Sequence, residues 1–172
     1  MKPVIILSGP VGAGKSTVAG ALVKVSRGPV VCIEGDKFWP FFAKGSEEIG
    51  LQKNFKVMMT SMTVAAIPFA RAGYEVIIDF SVPPWFLNTA KAIAKVREVP
   101  LDYVVICPGQ EVCAARAIGR SEGIITDYEP FKELYASFED YAKYMINDDK
   151  SSPEIIASQI RRGLDKGLFR IN

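Results

Sequence analysis

The hydrophobic residues of this chain fall in short continuous runs, separated by longer segments with helical spacing. Five of these runs are rich in valine or isoleucine. Such runs are typical of strands in a parallel sheet that is covered on both faces. The predicted strands are 3–7, 29–33, 75–79, 103–107 and 144–146.

Segments of helical periodicity fill the gaps between these strands. The segment 46–72 places Met58 and Met62 on one stripe, which predicts a helix that faces the core. Pro68 is expected to kink or break this helix, because proline lacks the backbone donor that a helix interior needs. Ser152 is a good N-cap for the last helix, since proline follows it at the first helical position. The predicted helices are 15–26, 46–72, 85–96, 110–118, 128–143 and 153–163.

The alternation of strand and helix predicts an α/β protein with right-handed crossovers and a doubly wound sheet. The length of 172 residues suits a single domain over 1–172 with a sizeable core. Hydrophobic residues make up 49% of the chain, which is a globular composition. The sequence contains neither an internal repeat nor a linker that would divide it.

Charge and hydropathy exclude several classes of protein. The 21 basic and 19 acidic residues give a net charge of +2, so charge alone does not indicate a nucleic-acid partner. No apolar run is long enough to span a bilayer. The chain begins with a predicted strand, where a signal peptide would have a charged start and a cleavage site. We therefore expect a cytoplasmic protein with no nucleic-acid or membrane partner.

Histidine and cysteine usage limits the available chemistry. The chain has no histidine, and its three cysteines form no Cys-x-x-Cys pair, so a zinc site has almost no ligands available. Cys32, Cys107 and Cys113 are expected to be buried free thiols of a reducing compartment. Any general base must then be an aspartate, glutamate, lysine or tyrosine.

A glycine-rich segment with the spacing Gly-x4-Gly-Lys-Ser connects the first predicted strand to the first predicted helix. Its glycines allow the backbone to form a nest of N–H groups around one anion. The N-terminus of the helix adds partial positive charge, Lys15 adds a full charge, and Ser16 offers a hydroxyl to Mg²⁺. The segment predicts a binding loop for a nucleotide polyphosphate. Its residues are Gly9, Pro10, Val11, Gly12, Ala13, Gly14, Lys15, Ser16 and Thr17.

Two aspartates lie at the carboxyl ends of predicted strands, where open α/β sheets bind ligands. Asp36 is the candidate to orient and deprotonate a substrate hydroxyl. The alternative interpretation of Asp36 is a turn or cap residue, and Glu34 is the reserve candidate. Asp79 closes the third strand, as do the acidic residues that hold Mg²⁺ in phosphate-loop proteins. Whether Asp79 serves the metal or the acceptor is open at this point.

Arg116 and Arg120 lie one turn apart on the predicted helix 110–118 and its continuation. They lead into a glycine-containing loop, from which they could stabilise charge on a transferring phosphoryl group. The alternative is a solvated charged helix face.

Aromatic residues cluster at 38–42 and 80–86, each directly after a candidate carboxylate. They either line a pocket for a ring or pack as core beneath the loops. The segment 147–152 is expected near the nucleotide base. It has no Asn-Lys-x-Asp signature for guanine, which favours ATP over GTP.

Together these motifs resemble those of small P-loop kinases with the nucleoside-monophosphate-kinase-like fold. The branch in question includes gluconate and shikimate kinases, chloramphenicol phosphotransferase and zeta-type toxins. The resemblance covers nearly the whole chain. It implies a three-layer α/β/α fold, a five-stranded parallel sheet in the order 2-3-1-4-5, and a short lid at about 117–128. The segments that carry it are 9–17, 34–38, 76–79, 113–120 and 146–154.

The resemblance also implies an activity, which is ATP- and Mg²⁺-dependent transfer of a phosphoryl group to a hydroxyl of a small molecule by a monomer or homodimer. Alternatives are an ATP-binding regulatory module with little transfer activity and a toxin-like nucleotide-sugar kinase. The implied roles are Lys15 on the β- and γ-phosphates, Ser16 on Mg²⁺, Thr17 on the α-phosphate, Asp36 as base, and Arg116 and Arg120 as lid arginines.

Overall fold

One mixed sheet of six strands forms the centre of the computed structural model, which describes residues 2–119 and 125–171. The six strands are counted within those two ranges. They are β1 (Val4–Ser8), β2 (Val30–Glu34), β3 (Glu75–Asp79), β4 (Leu101–Ile106), β5 (Met145–Ile146) and β6 (Arg170–Ile171).

Helices connect the strands in chain order. The longest, of 21 residues, follows the second strand, and four short 3-10 segments supplement the α-helices in the described ranges. The α-helices are α1 (Lys15–Val25), α2 (Ser46–Ile49), α3 (Leu51–Arg71), α4 (Leu87–Val96), α5 (Gln110–Ile118), α6 (Lys132–Ala136) and α7 (Pro153–Asp165). The 3-10 segments are Gly35–Phe41, Pro84–Phe86, Glu129–Phe131 and Glu139–Tyr144.

The strand order is β2-β3-β1-β4-β5, with parallel pairing throughout, which confirms the predicted order. The sixth strand, β6, is a correction to the predicted five-stranded parallel sheet. It pairs antiparallel with the start of β4, while β5 pairs with the end of β4. A strand of two residues is too short to show a hydrophobic pattern in the sequence. Part of what holds β6 is a side-chain contact, because Arg170 Nε donates to Asp102 Oδ1 over 2.8 Å.

Burial across the sheet follows strand position. Every residue of β1, β3 and β4 is buried, whereas the edge strand β2 has an exposed cysteine at Cys32. The prediction of a buried thiol is therefore wrong for Cys32, because an edge strand is covered less completely than a central one. Cys107 and Cys113 are buried and free as predicted.

Two predicted helices are divided. The segment 46–72 is interrupted at Gly50, whose φ of 88° is a left-handed conformation, and α3 begins at the next residue. It then runs through Pro68 to Arg71, so Pro68 does not break it. A proline three residues before the C-terminus removes a single bond of the last turn, which costs less than an interruption in mid-helix.

The predicted helix 128–143 is instead two 3-10 segments around the short α6. Phe138 and Tyr144 are both buried, although on a regular helix they would point about 120° apart. The non-helical backbone of Tyr141, with φ −113° and ψ 30°, lies between them. Burial of both rings takes precedence over continuous helical hydrogen bonding.

A polar cluster joins α1, β3 and α7 on the side of the sheet away from the strand carboxyl ends. Arg161 donates to both carboxylate oxygens of Glu75 and to Ser26, and Ser26 Oγ donates to Glu75 Oε1 over 2.6 Å. Burial would raise the pKa of Glu75, but hydrogen bonds from Arg161 and Ser26 outweigh it and lower the pKa. The cluster therefore contributes stability only while Glu75 is ionised.

Within the described ranges, none of the helices combines the length and the apolar composition that a membrane crossing requires.

Candidate active site

The glycine-rich loop lies between β1 and α1, pressed against neighbouring backbone. Gly9, Gly12 and Gly14 have φ values of 144°, 80° and 86°, which side chains rarely adopt. A Cβ at Gly9 would lie 2.0 Å from the Ile106 carbonyl oxygen, and a Cβ at Gly12 would lie 2.0 Å from that of Cys113. Glycine is thus required at both positions by conformation and by space.

Lys15 is the first residue of α1, so the lysine and the N-terminus of the helix lie together. Its Nζ donates to the carbonyl oxygens of Gly9 and Pro10 over 3.2 Å and 2.9 Å. Ser16 and Thr17 follow in the first helical turn and are exposed to the cavity in front of the loop. The arrangement concentrates positive charge and hydrogen-bond donors at one point, as polyphosphate binding requires.

A cavity of about 620 Å³ opens in front of the loop, at the carboxyl ends of the strands. It brings together most of the predicted site residues. From the loop and α1 it is lined by Val11, Gly12, Gly14, Lys15, Ser16 and Thr17, and from other elements by Asp36, Asp79 and Arg116. Gly9, Pro10 and Ala13 form the loop without lining the cavity.

The structure describes one of the two candidate arginines. Arg116 lies on α5 and lines the cavity, and its Nη1 would be 3.8 Å from a Cβ at Gly14. Arg120 lies outside the described residues, as does part of the predicted lid, 117–128. Both Arg120 and the lid therefore remain predictions.

Asp79 is the most buried carboxylate of the site, with 7% exposure. Burial raises the pKa of Asp79, and the neighbouring carboxylates of Asp36 and Glu34 raise it further. A hydrogen bond with Ser16 and the charge of Lys15 act in the opposite direction. Asp79 therefore lies within reach of the Ser16 hydroxyl and near the Lys15 ammonium, where a cation would relieve the repulsion between carboxylates.

The donor set fits magnesium better than a transition metal. The described residues contain no group of three or more histidine, cysteine, aspartate or glutamate side chains able to hold a metal. Magnesium commonly takes one or two protein oxygens and completes its shell with phosphate oxygens and water. Ser16 Oγ and the Asp79 carboxylate are oxygen donors of this kind.

Asp36 lies in the 3-10 segment after β2 and reaches the cavity from the side opposite the helix α5. The preceding residue, Gly35, is buried against Phe80, and a Cβ there would come within 2.3 Å of the ring. This close approach fixes the backbone next to Asp36. Glu34, the reserve candidate, pairs with Lys37 over 2.9 Å and does not line the cavity.

Some residues of the two aromatic clusters line the cavity, and others pack in the core or are exposed. Trp39 and Phe80 line the cavity, joined through Phe55 at ring-centroid distances of 5.6 Å and 5.1 Å. Phe86 is fully buried core, and Phe41 is 75% exposed. The segment after α5 also contributes apolar lining residues, namely Ile125, Phe131 and Leu134.

A buried polar clamp behind the site was not predicted from the sequence. Ser8 Oγ donates to the Val82 carbonyl over 2.7 Å and accepts from the Val82 amide over 2.9 Å. Tyr103 Oη donates to the same carbonyl over 2.8 Å. The clamp fixes Ser81, which lines the cavity, relative to the strand from which the loop departs. The only signal in the sequence is a serine that ends a buried apolar run.

A second loop contact lies near the expected position of the base. The Gly109 amide, in the loop after β4, donates to Asp149 Oδ1 over 2.6 Å. Asp149 belongs to the segment 147–152 after β5, so the two loops are held together at the carboxyl edge of the sheet.

The fold and the site together define a P-loop protein of the kinase class, with a glycine nest, a lysine at a helix start and carboxylates at two neighbouring strand ends. The chain belongs to the chloramphenicol phosphotransferase-like protein family, whose model matches residues 2–137. The family consists of P-loop small-molecule kinases, which confirms the resemblance seen in the sequence motifs.

Solved structures agree on the fold. The chain is similar to the Deinococcus radiodurans tunicamycin resistance protein, with 15% identity, a TM-score of 0.72 and coverage of 100% and 99% of the two chains. A sugar kinase from Janibacter sp. has 20% identity, a TM-score of 0.70 and coverage of 96% and 95%.

A third structure contains ligands. It is the Mycobacterium tuberculosis APS kinase in complex with AMPPNP and APS, with 15% identity, a TM-score of 0.68 and coverage of 95% and 98%. No curated protein sequence matches the chain.

Proposed function

We propose that this protein transfers the γ-phosphate of ATP to a hydroxyl group of a small molecule, with Mg²⁺ as cofactor. One observation carries the proposal. A single cavity joins the phosphate loop, through Lys15, Ser16 and Arg116, to a carboxylate at Asp36 and an aromatic wall. Phosphoryl transfer needs these two halves to face each other, since the acceptor oxygen must approach the γ-phosphate in line.

In the nucleotide half, the backbone amides of the loop and the Lys15 ammonium bind the β- and γ-phosphates. Thr17, in the first turn of α1, contacts the α-phosphate. Arg116 stabilises the charge that spreads over the transferring group. ATP is preferred to GTP because the segment 147–152 lacks the guanine signature.

Ser16 and Asp79 would hold the magnesium ion, which supplies positive charge to the phosphate oxygens. The carboxylate of Asp79 is suited to this role because it is buried beside Ser16 and Lys15. Assigning Asp79 to the metal leaves Asp36 for the acceptor.

In the acceptor half, Asp36 orients the substrate hydroxyl and accepts its proton. The hydroxyl oxygen forms a bond to the γ-phosphorus, the bond from the γ-phosphorus to the β–γ bridging oxygen breaks, and ADP leaves. Trp39, Phe55 and Phe80 favour an acceptor with an apolar ring. Among the described residues, the cations that line the cavity are Lys15 and Arg116, and both lie beside the phosphate loop. The described part of the acceptor half therefore favours an uncharged alcohol.

The test is a screen of uncharged, ring-bearing alcohols for acceptor-dependent ADP release with ATP and Mg²⁺. Asp36→Asn should abolish acceptor-dependent release and leave the Kd of Mg-ATP nearly unchanged. Glu34→Gln is the matched control, because Glu34 is a neighbouring carboxylate that does not line the cavity. Slow ADP release without dependence on any acceptor would contradict the proposal and favour an ATP-binding regulatory module.

A further inference from the structure

We propose that Tyr128 is a positioning residue of the phosphate loop, whose hydroxyl holds the Val11 carbonyl and thereby orients the Gly12 amide toward a bound polyphosphate. The inference rests on the proposed nucleotide binding. It adds a residue that lies far from the loop in sequence and outside the loop motif.

The contact joins two distant parts of the chain. Tyr128 Oη donates to the Val11 carbonyl oxygen over 2.8 Å, although 117 residues separate them. Tyr128 is 7% exposed, and its ring packs on Phe131 at a centroid distance of 5.9 Å. Val11 and Gly12 line the cavity, whereas Tyr128 does not. Tyr128 therefore acts on the loop from behind and without touching a ligand.

Peptide geometry carries the effect from the carbonyl to the amide. In a trans peptide the C=O of one residue and the N–H of the next point in opposite directions. A hydroxyl that fixes the Val11 carbonyl therefore also fixes the direction of the Gly12 N–H. The next Cα is confined as well, because the Cys113 carbonyl oxygen leaves no room for a Cβ at Gly12.

The loop needs such an external support because its glycines give it little rigidity of its own. Glycine samples a wide range of backbone conformations, and Gly12 has φ 80°. Burial raises the pKa of Tyr128, so the phenol stays a donor over the working range of pH. A loop held in its binding conformation before the ligand arrives binds more tightly than one that must be ordered on binding.

The test compares Tyr128→Phe with the wild-type protein by calorimetry, using Mg-ATP and Mg-tripolyphosphate as probes. Tripolyphosphate reports on the phosphate loop alone, because it carries no base or ribose. Loss of one buried hydrogen bond predicts an increase of about fivefold in Kd for both probes. The melting temperature without ligand should fall by about 2–4 °C, as expected for the loss of one hydrogen bond, since the ring and its packing on Phe131 are retained.

Tyr135→Phe is the matched control. The Tyr135 hydroxyl donates to the Pro108 carbonyl over 3.0 Å. The variant therefore loses a similar hydrogen bond between a phenol and a backbone carbonyl. Its Kd for tripolyphosphate should equal that of the wild type. Equal weakening in both variants would indicate general destabilisation and overturn the proposal.

Two further outcomes separate this inference from the proposed function. Wild-type affinity for tripolyphosphate in Tyr128→Phe would overturn the role of Tyr128 and leave the kinase proposal standing. Failure of the wild-type protein itself to bind either probe would remove the proposed function, and the positioning role with it.

Discussion

The two halves of the cavity are built in different ways. The phosphate half comes mainly from one continuous segment, 9–17, whose conformation depends on glycine positions and on the start of α1. The proposed acceptor half is assembled from the segment after β2, the helix α3 and the segment after β3, which contribute Trp39, Phe55 and Phe80. A local sequence motif can therefore preserve the class of reaction, while changes in a wall formed by distant segments alter the specificity for the acceptor.

The largest expected effect comes from a substitution in the phosphate half. Lys15→Met removes the charge at the helix start and should lower the acceptor-dependent rate of ADP formation at least about 100-fold. Lys37→Met is the control, since Lys37 is 74% exposed and pairs with Glu34 outside the cavity. A variant of Lys15 that retains more than half of the activity would contradict the assignment.

The next largest effect concerns the proposed acceptor half. Trp39→Ala should raise the KM for a ring-bearing acceptor about tenfold, because a partly buried aromatic contact is lost. The Kd of Mg-ATP should stay the same, since Trp39 belongs to the proposed acceptor half of the cavity. Phe41→Ala provides the comparison, because Phe41 is 75% exposed and does not line the cavity. Equal KM values in the two variants would place the acceptor elsewhere.

A smaller effect tests the connection between the two halves. Ser8→Ala removes the hydroxyl that ties the end of β1 to Val82, and should lower the melting temperature by about 2–4 °C. It should also raise the KM for the acceptor, because Ser81 loses its support. Thr63→Val is the control, since the buried Thr63 hydroxyl donates to the Met59 carbonyl within α3. An unchanged KM in Ser8→Ala would show that the clamp serves stability alone.

The smallest effect lies outside both halves. The lowered pKa of Glu75 means that its stabilising contribution is present above its ordinary value of 4.5 and is lost as the pH falls through the lower folded value. Glu75→Gln should remove this part of the pH dependence of the free energy of unfolding, measured by urea denaturation between pH 3 and 7. Its Kd for Mg-ATP should match the wild type, and parallel pH profiles of the two proteins would refute the role of the cluster.

Much of the fold could be predicted because each central strand is a short apolar run and each crossover is a helical segment. The runs at β1, β3 and β4 read clearly, since all their residues are buried. The strand β6 could not be predicted, because part of what holds its two residues is the contact between Arg170 and Asp102. The exposure of Cys32 was likewise hidden, since an edge strand and a central strand can have the same composition.

The sequence by itself determined the phosphate loop, because a conformation that requires glycine at fixed spacing leaves a direct trace in the chain. It also indicated Asp36 and Asp79, since parallel strands bring their carboxyl ends to one edge. Only the tertiary structure decided which aromatic rings face the cavity, that Ser8 clamps Val82, and that Tyr128 reaches Val11. These contacts join residues far apart along the chain, and packing, which no local pattern records, brings them together.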